Sequence, residues 1–137
     1  MRQQRVLIFV PSVGRDSKED DNTMPFISTK TNVTVSKEKE TQLKERLGQA
    51  ISIIPGKSES WLMLAIEGDI PMYFRGDGSQ PTAFIEVKIY GDASSETYGK
   101  MTKELTGIYG DILGIAPDHM YIRYFGSEDW GWNGSNF

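Results

Sequence analysis

The chain holds one histidine, His119, and no cysteine, which narrows the chemistry open to it. Without thiols there is no disulfide, no zinc thiolate site and no thiol nucleophile. One imidazole makes neither a histidine-rich metal site nor a Ser/His/Asp triad, and His119 reads as a surface or packing residue. The groups left for chemistry are amines, guanidinium groups, carboxylates and phenols. Several of them alternate with apolar residues in two short runs, 83–90 and 120–125. In the first run Glu86, Lys88 and Tyr90 share one side with Phe84; in the second, Arg123 shares a side with Tyr121 and Phe125. A tail at 126–137, rich in glycine and aromatic residues, closes the chain. The formal charge is −4, from 15 basic and 19 acidic residues, and no basic stripe is visible. Nucleic acid, which needs phosphate neutralisation, is not an expected partner. No apolar run approaches the roughly 18 residues that span a bilayer, so a membrane is not expected either.

Elements must position these groups, and the sequence marks them from residue 24 onward. Phe26 to Val33 is strand-like. Ser36 is a helix N-cap, with Glu38 and Glu40 in the electropositive first turn. Leu43, Leu47, Ala50, Ile51 and Ile54 recur at helical spacing and form one apolar face. Pro55-Gly56 stops that helix, and Trp61 to Ile66 is a second short strand. A loop of turn formers follows, Gly68 to Pro81. The order then repeats. Ala83 to Tyr90 is a strand, Ser94 or Ser95 caps a helix carrying Tyr98, Met101, Leu105, Ile108, Tyr109 and Ile112, and Gly114 closes it. Met120 to Phe125 is the last strand.

Length and pattern together fit one domain of two-layer α/β (α+β) class, with 137 residues in all. Two β-α-β units in series, each with a right-handed crossover between parallel strands, give a four-stranded sheet with both helices on one face. The opposite face is aromatic and charged. An exposed apolar patch of that kind marks an interface, so homo-oligomers with facing sheets are expected, with polar groups meeting at subunit boundaries. Residues 1–23 read differently. A short apolar run, Val6 to Val10, meets Pro11 and a charged tract, Gly14 to Thr23, that buries too little apolar surface to order itself. It is expected to be disordered or to stem from a mis-assigned upstream start. The alternative is that Val6 to Val10 adds an edge strand. The run is too short for a secretory leader and lacks a cleavage site, which makes the cytosol the default compartment.

An ordered set of short motifs then carries a resemblance. Met24-Pro25-Phe26-Ile27, Thr31-Asn32-Val33, Gly56-Lys57 ahead of Trp61, Pro117-Asp118, Tyr121-Ile122, Gly131-Trp132-Asn133 and Phe137 are its members. Together they resemble the macrophage migration inhibitory factor family of the tautomerase superfamily, over residues 24–137. The resemblance implies a homotrimer of sheets wrapped into a barrel, with active sites between subunits. It implies keto–enol tautomerisation of phenylpyruvate and dopachrome-like compounds, without metal or organic cofactor. By the same resemblance Pro25 is the catalytic base, Lys57 holds the substrate carboxylate, and Tyr121 offers a hydroxyl to a neighbouring subunit's pocket. Tyr90 narrows the opening, and Trp130, Trp132 and Phe137 wall an aromatic substrate. Lys57 could equally face solvent, Tyr121 could be a plain interface aromatic, and the tail aromatics could simply pin the tail. Relatives leave cells without a leader, so an extracellular location and a protein receptor stay open.

The chemistry asked of Pro25 can be stated from its own group. Enolising a 2-keto acid removes a proton next to a carbonyl and returns one to oxygen, which needs a base that is free at neutral pH. A terminal proline is a secondary amine, and α-amino groups ordinarily titrate at about 7.7–8.0. An apolar pocket and a nearby cation such as Lys57 both disfavour its protonated form. In the sequence as written, however, Pro25 is internal and its nitrogen is an amide. The base exists only once Pro25 becomes the N-terminus, by removal of Met24 or cleavage before Pro25.

Two departures from the resemblance matter. Arg123 stands where the family commonly has asparagine, and its planar fork suits a carboxylate; it could also pair with Glu86 or Glu67. Thr82 and Ile85 stand where the family has Cys-x-x-Cys, so no thiol-redox activity carries over. Two further functions follow from these features. One is a non-catalytic, cytokine-like interaction protein of the same fold. The other is hydration or decarboxylation of a small carboxylic acid, suggested by Arg123.

Overall fold

The computed structural model describes residues 24–136. The expectations for residues 1–23, including a strand at Val6 to Val10, and for Phe137 lie outside the described residues. The first unit contains β1 (Pro25–Thr31), α1 (Lys37–Ala50) and β2 (Met63–Glu67). The second contains β3 (Ala83–Tyr90), α2 (Ser95–Leu113) and β4 (Met120–Ser127).

Both helices begin where a serine side chain replaces a missing backbone partner. Ser36 Oγ accepts from the Lys39 N–H at 3.2 Å, and Ser94 Oγ from the Thr97 N–H at 3.1 Å. Each unit forms its own parallel pair, β1 with β2 and β3 with β4. The units join along an antiparallel seam between β1 and β3, giving the order β2-β1-β3-β4. Placing the first strands of both units at the centre buries them most. In β3 the alternation is strict: Ala83, Ile85, Val87 and Ile89 are buried.

These residues meet Leu43, Leu47, Ala50, Ile51 and Ile54 from the first unit and Met101, Leu105, Ile108, Tyr109 and Leu113 from the second. A fully buried Leu or Ile contributes about 1.5–3 kcal/mol, so this layer dominates the fold's stability. Two polar groups enter it with partners: Thr29 Oγ1 shares a hydrogen bond with the Tyr109 hydroxyl, and Thr31 Oγ1 donates to the Thr82 carbonyl at 2.7 Å. Thr82, at the position of the absent Cys-x-x-Cys, also closes a loop, its N–H donating to Asn32 Oδ1 at 2.9 Å.

Two elements differ from expectation. Trp61 does not open a strand: Glu59–Trp61 is a 3₁₀ turn and β2 begins at Met63. The tail is not featureless either. It folds into a hairpin of β5 (Gly131–Trp132) and β6 (Ser135–Asn136). Asn133 and Gly134 make its turn with φ of 54° and 91°, the two positive angles of a type I′ turn, for which Asn-Gly is the preferred pair.

Candidate active site

The open face of the sheet carries side chains in rows set by strand register. Phe26 on β1, Lys88 on β3 and Phe125 on β4 stand in one row, with Met63 of β2 at its end. The Lys88 ammonium lies 5.9 Å from the Phe26 ring centre and 5.3 Å from that of Phe125. The next row holds Ala65, Ser28, Glu86 and Arg123. Register puts Arg123 opposite Glu86, but its guanidinium sits 4.8 Å over the Phe125 ring. Among the described residues no ion pair joins it to Glu86 or Glu67. Lys88 and Arg123 on this face are thus held against aromatic rings, an attraction worth about 0.5–1 kcal/mol where exposed.

At one corner, where β1 and β2 begin and β3 ends, the chain builds a cavity of about 450 Å³. Pro25 and Phe26 come from β1, Met63 from β2, Trp61 from the 3₁₀ turn, and Trp130 and Trp132 from the tail. Trp61 and Trp132 meet edge to face with ring centres 5.1 Å apart, a favoured geometry for aromatic quadrupoles. Pro25 is buried beside this space.

Lys57 reaches the same corner from behind. Gly56 turns the chain with φ of 83°, a conformation glycine adopts without steric cost, and the Lys57 N–H donates to the Ile54 carbonyl at 3.1 Å. The side chain is only 6 % exposed, and Nζ donates to the Tyr90 carbonyl at 2.9 Å. A buried lysine needs such a partner, and its solvent-facing alternative does not hold. The Tyr90 N–H in turn donates to the Met24 carbonyl at 3.1 Å. One peptide chain of contacts therefore links the Lys57 ammonium, Tyr90 and the acyl group borne on the Pro25 nitrogen.

The remaining candidates lie elsewhere. Tyr121, 64 % exposed, opens β4 at the diagonally opposite corner. Its ring packs edge-on to Phe74 at 5.6 Å, and Phe74 also meets His119 at 5.3 Å. His119 Nδ1 and Asp118 Oδ1 are 2.8 Å apart, and this bond holds the Asp118 carboxyl below its ordinary range. These contacts agree with a packing role for His119. Within one protomer, then, Pro25, Trp130 and Trp132 line the cavity, Lys57 and Tyr90 are joined to its edge through the Met24 carbonyl, and Tyr121 and Arg123 are not among its lining residues. Trp61 lines it without having been singled out as a ligand-facing residue; the turn signal of Ser58 to Ser60 ahead of it was the available clue.

A larger cavity, about 550 Å³, lies between α1 and β2, lined by Glu40, Lys44, Glu59, Leu62, Leu64 and Ile66. Lys44 pairs with Glu59 across its rim at 4.0 Å, Glu40 pairs with Lys37 at 3.4 Å, and none of the candidates lines it. Size alone does not select it over the Pro25 corner, whose wall is mainly apolar and aromatic. Among the described residues no cluster of three or more His, Asp or Glu side chains is arranged for a metal ion.

Known proteins bear on this geometry. The family model for macrophage migration inhibitory factor matches residues 24–137. Macrophage migration inhibitory factor of Meriones unguiculatus is 34 % identical over 119 residues, covering 83 % of this chain and 99 % of that protein. The Rattus norvegicus protein of the same name is 32 % identical over 116 residues, with coverage of 83 % and 99 %. Among solved structures, Leishmania major MIF2 is similar with a TM-score of 0.77 at 28 % identity, covering 84 % of this chain and 98 % of that one. The macrophage migration inhibitory factor homologue of Prochlorococcus marinus gives 0.69 at 27 % identity, with coverage of 82 % and 98 %.

Proposed function

Because the chain belongs to the macrophage migration inhibitory factor family, we propose that it is a cofactor-free keto–enol tautomerase of phenylpyruvate-like 2-keto acids. Pro25, exposed by processing, is its general base. The observation that carries this reading is the convergence of Pro25 and the buried Lys57 on the two sides of Tyr90, beside a cavity walled by Trp61 and Trp132.

The steps follow from these groups. The free Pro25 nitrogen takes a proton from the carbon next to the substrate carbonyl. The electron pair left behind forms the carbon–carbon double bond, and the carbonyl oxygen takes a proton back from the Pro25 ammonium, directly or through water, to become the enol hydroxyl and free the base again. Lys57 attracts the substrate carboxylate, and its charge together with burial keeps the amine unprotonated. The tryptophan pair suits a flat ring, which favours phenylpyruvate and dopachrome-like compounds over small aliphatic acids.

The active assembly is a homotrimer with sheets facing inward. Support comes from the aromatic, charged open face and from the exposed Met63 and Tyr121 at its two edges. In that assembly Tyr121 offers its hydroxyl to the cavity of the next subunit, and Arg123, two residues on along β4 and on the same face, offers a guanidinium to a carboxylate.

The test follows the ultraviolet absorbance of enol phenylpyruvate with protein beginning at Pro25, with its Pro25→Gly variant, and with the chain that keeps Met24. Activity in the first form alone supports the reading; equal activity in all three rules out the terminal amine. A second reading has its own observation. In the chain as written the Pro25 nitrogen is an amide, and a protein that stays in that form keeps the scaffold without the base. It would then act as a cytokine-like binding partner, its mark being an intact mass, in protein from its natural source, that keeps residues before Pro25.

A further inference from the structure

Two lysines approach the start of β1 from opposite layers, and they are held very differently. Lys57 comes from behind the sheet, buried, with Nζ on the Tyr90 carbonyl at 2.9 Å. Lys88 stands on β3 two residues before Tyr90, a rise of about 7 Å along the strand. Its side chain is on the open face, where register sets it opposite Phe26. Phe26 is part of the wall of the Pro25 cavity, next to Met63. The Lys88 ammonium lies 5.9 Å from the Phe26 ring centre and 5.3 Å from that of Phe125. A ring of the cavity wall thus holds this charge, and no backbone carbonyl fixes it among the described residues. The other charges of this face are Arg123, 4.8 Å over the same Phe125 ring, Glu86 in the next row, and Lys30 and Glu67 in the row beyond. Among the described residues neither acid pairs with Lys88. An exposed ammonium–ring contact is weaker than a charge-assisted hydrogen bond to a carboxylate, and the lysine stem is flexible. An anion at the edge of the cavity therefore draws Lys88 off its rings.

We infer that Lys88 is a second acid-binding residue of the Pro25 site, which suits that site to aromatic 2-keto acids carrying another carboxylate at the end of the ring remote from the keto acid. The keto-acid half rests on the tautomerase reading; the second carboxylate rests on the placement of Lys88. Lys57 takes the carboxylate beside the keto group, the aromatic wall lies along the ring, and Lys88 takes the remote carboxylate on the open face. Specificity is a difference of affinities: a diacid gains the Lys88 contact, and a monoacid gains nothing from it.

Two probes without a keto group to enolise test this by calorimetry: 3-phenylpropionate, a monoacid, and 3-(4-carboxyphenyl)propionate, the same skeleton with a second carboxylate. They are titrated into the full 137-residue chain and into the form beginning at Pro25, both of which hold Lys88 and Phe26. The diacid is expected to bind at least about tenfold more tightly than the monoacid, a difference of about 1.4 kcal/mol. Lys88→Gln is expected to abolish that preference and leave the monoacid affinity unchanged, and Lys88→Arg to restore most of it. Circular dichroism checks that each variant is folded. Equal affinity for the two probes in both forms overturns the assignment. So does a preference that survives Lys88→Gln but is lost in Arg123→Gln, or a Lys88→Gln variant that loses both probes alike. A diacid preference in protein that does not turn over phenylpyruvate keeps Lys88 as an acid-binding residue and defeats the tautomerase reading; turnover without the preference does the reverse.

Discussion

Two corners of the same sheet treat their aromatic residues in opposite ways. Where β1 and β2 begin, Trp61 and Trp132 pack edge to face and line one cavity with Pro25. Where β3 and β4 begin, Tyr121 stands 64 % exposed beside Phe74, and the neighbouring Tyr73 is 73 % exposed. The first corner is nearly complete within one protomer. The second presents an aromatic platform with nothing of this chain to cover it among the described residues. A surface of one kind at one edge and its complement at the other make a head-to-tail contact, which closes into a ring when the rotation allows. The division of labour follows: the proton-moving half of the proposed site is folded locally, and its remainder waits for a neighbour.

The largest effect should come from the enclosed corner. Pro25→Gly, in protein beginning at residue 25, should lower turnover of phenylpyruvate by about 10²–10⁴-fold, the range for a positioned acid–base group; unchanged turnover would remove the enclosed corner from the chemistry. Lys57→Ala comes next. Loss of a charge-assisted contact of about 1.5–3 kcal/mol should raise KM roughly 10- to 150-fold with a smaller change in kcat. An effect confined to kcat would mean that Lys57 tunes the amine and does not hold the acid.

Tyr121→Ala probes the exposed corner. Removing an interface aromatic typically costs about 2 kcal/mol, so the trimer should weaken in sedimentation and activity should fall at low protein concentration. Unaltered mass and activity would separate the two corners and leave Tyr121 as surface.

The smallest effect is one of pH, and it lies on the helical layer. Burial first, and then the hydrogen bond to Asp92, push the Tyr98 phenol up to about 12. Burial also raises Tyr109 beyond its usual range. Each phenol is held neutral more strongly in the folded than in the unfolded chain. Their stabilising effect is therefore whole below about pH 10, the ordinary tyrosine value, and is lost as pH rises through the folded values. Thermal midpoints should hold to about pH 10 and then fall, less steeply in Tyr98→Phe. A fall of equal slope in that variant would assign the transition to other groups.

Much of the fold was legible because local rules and tertiary needs agree. Ser36 and Ser94 cap their helices as their spacing indicates, and the alternation in 83–90 reports its buried face residue by residue. What the sequence hid was position in space. Nothing local to Lys57 says that a turn at Gly56 drives its ammonium inward to Tyr90. Trp61 reads as a strand residue because Trp-Leu-Met-Leu is apolar, yet the 3₁₀ turn at Glu59 aims it at the cavity. The Asn133-Gly134 pair is a turn signal, but strands of two residues each carry no alternation that would mark the hairpin in the sequence. Arg123 and Tyr121 share a face that register makes obvious, but their distance from Pro25 within a protomer depends on how four strands are ordered, which no single segment encodes.

The hairpin bearing Trp132 forms a two-stranded sheet of its own, hydrogen-bonded in its ladder to neither edge of the four-stranded one. Local opening free energies follow such boundaries. One wall of the Trp61–Trp132 cavity is therefore tied to the strand that holds the proline by side-chain contact and not by a shared ladder. Loosening of that wall and unfolding of the four-stranded sheet are thereby distinct events in free energy.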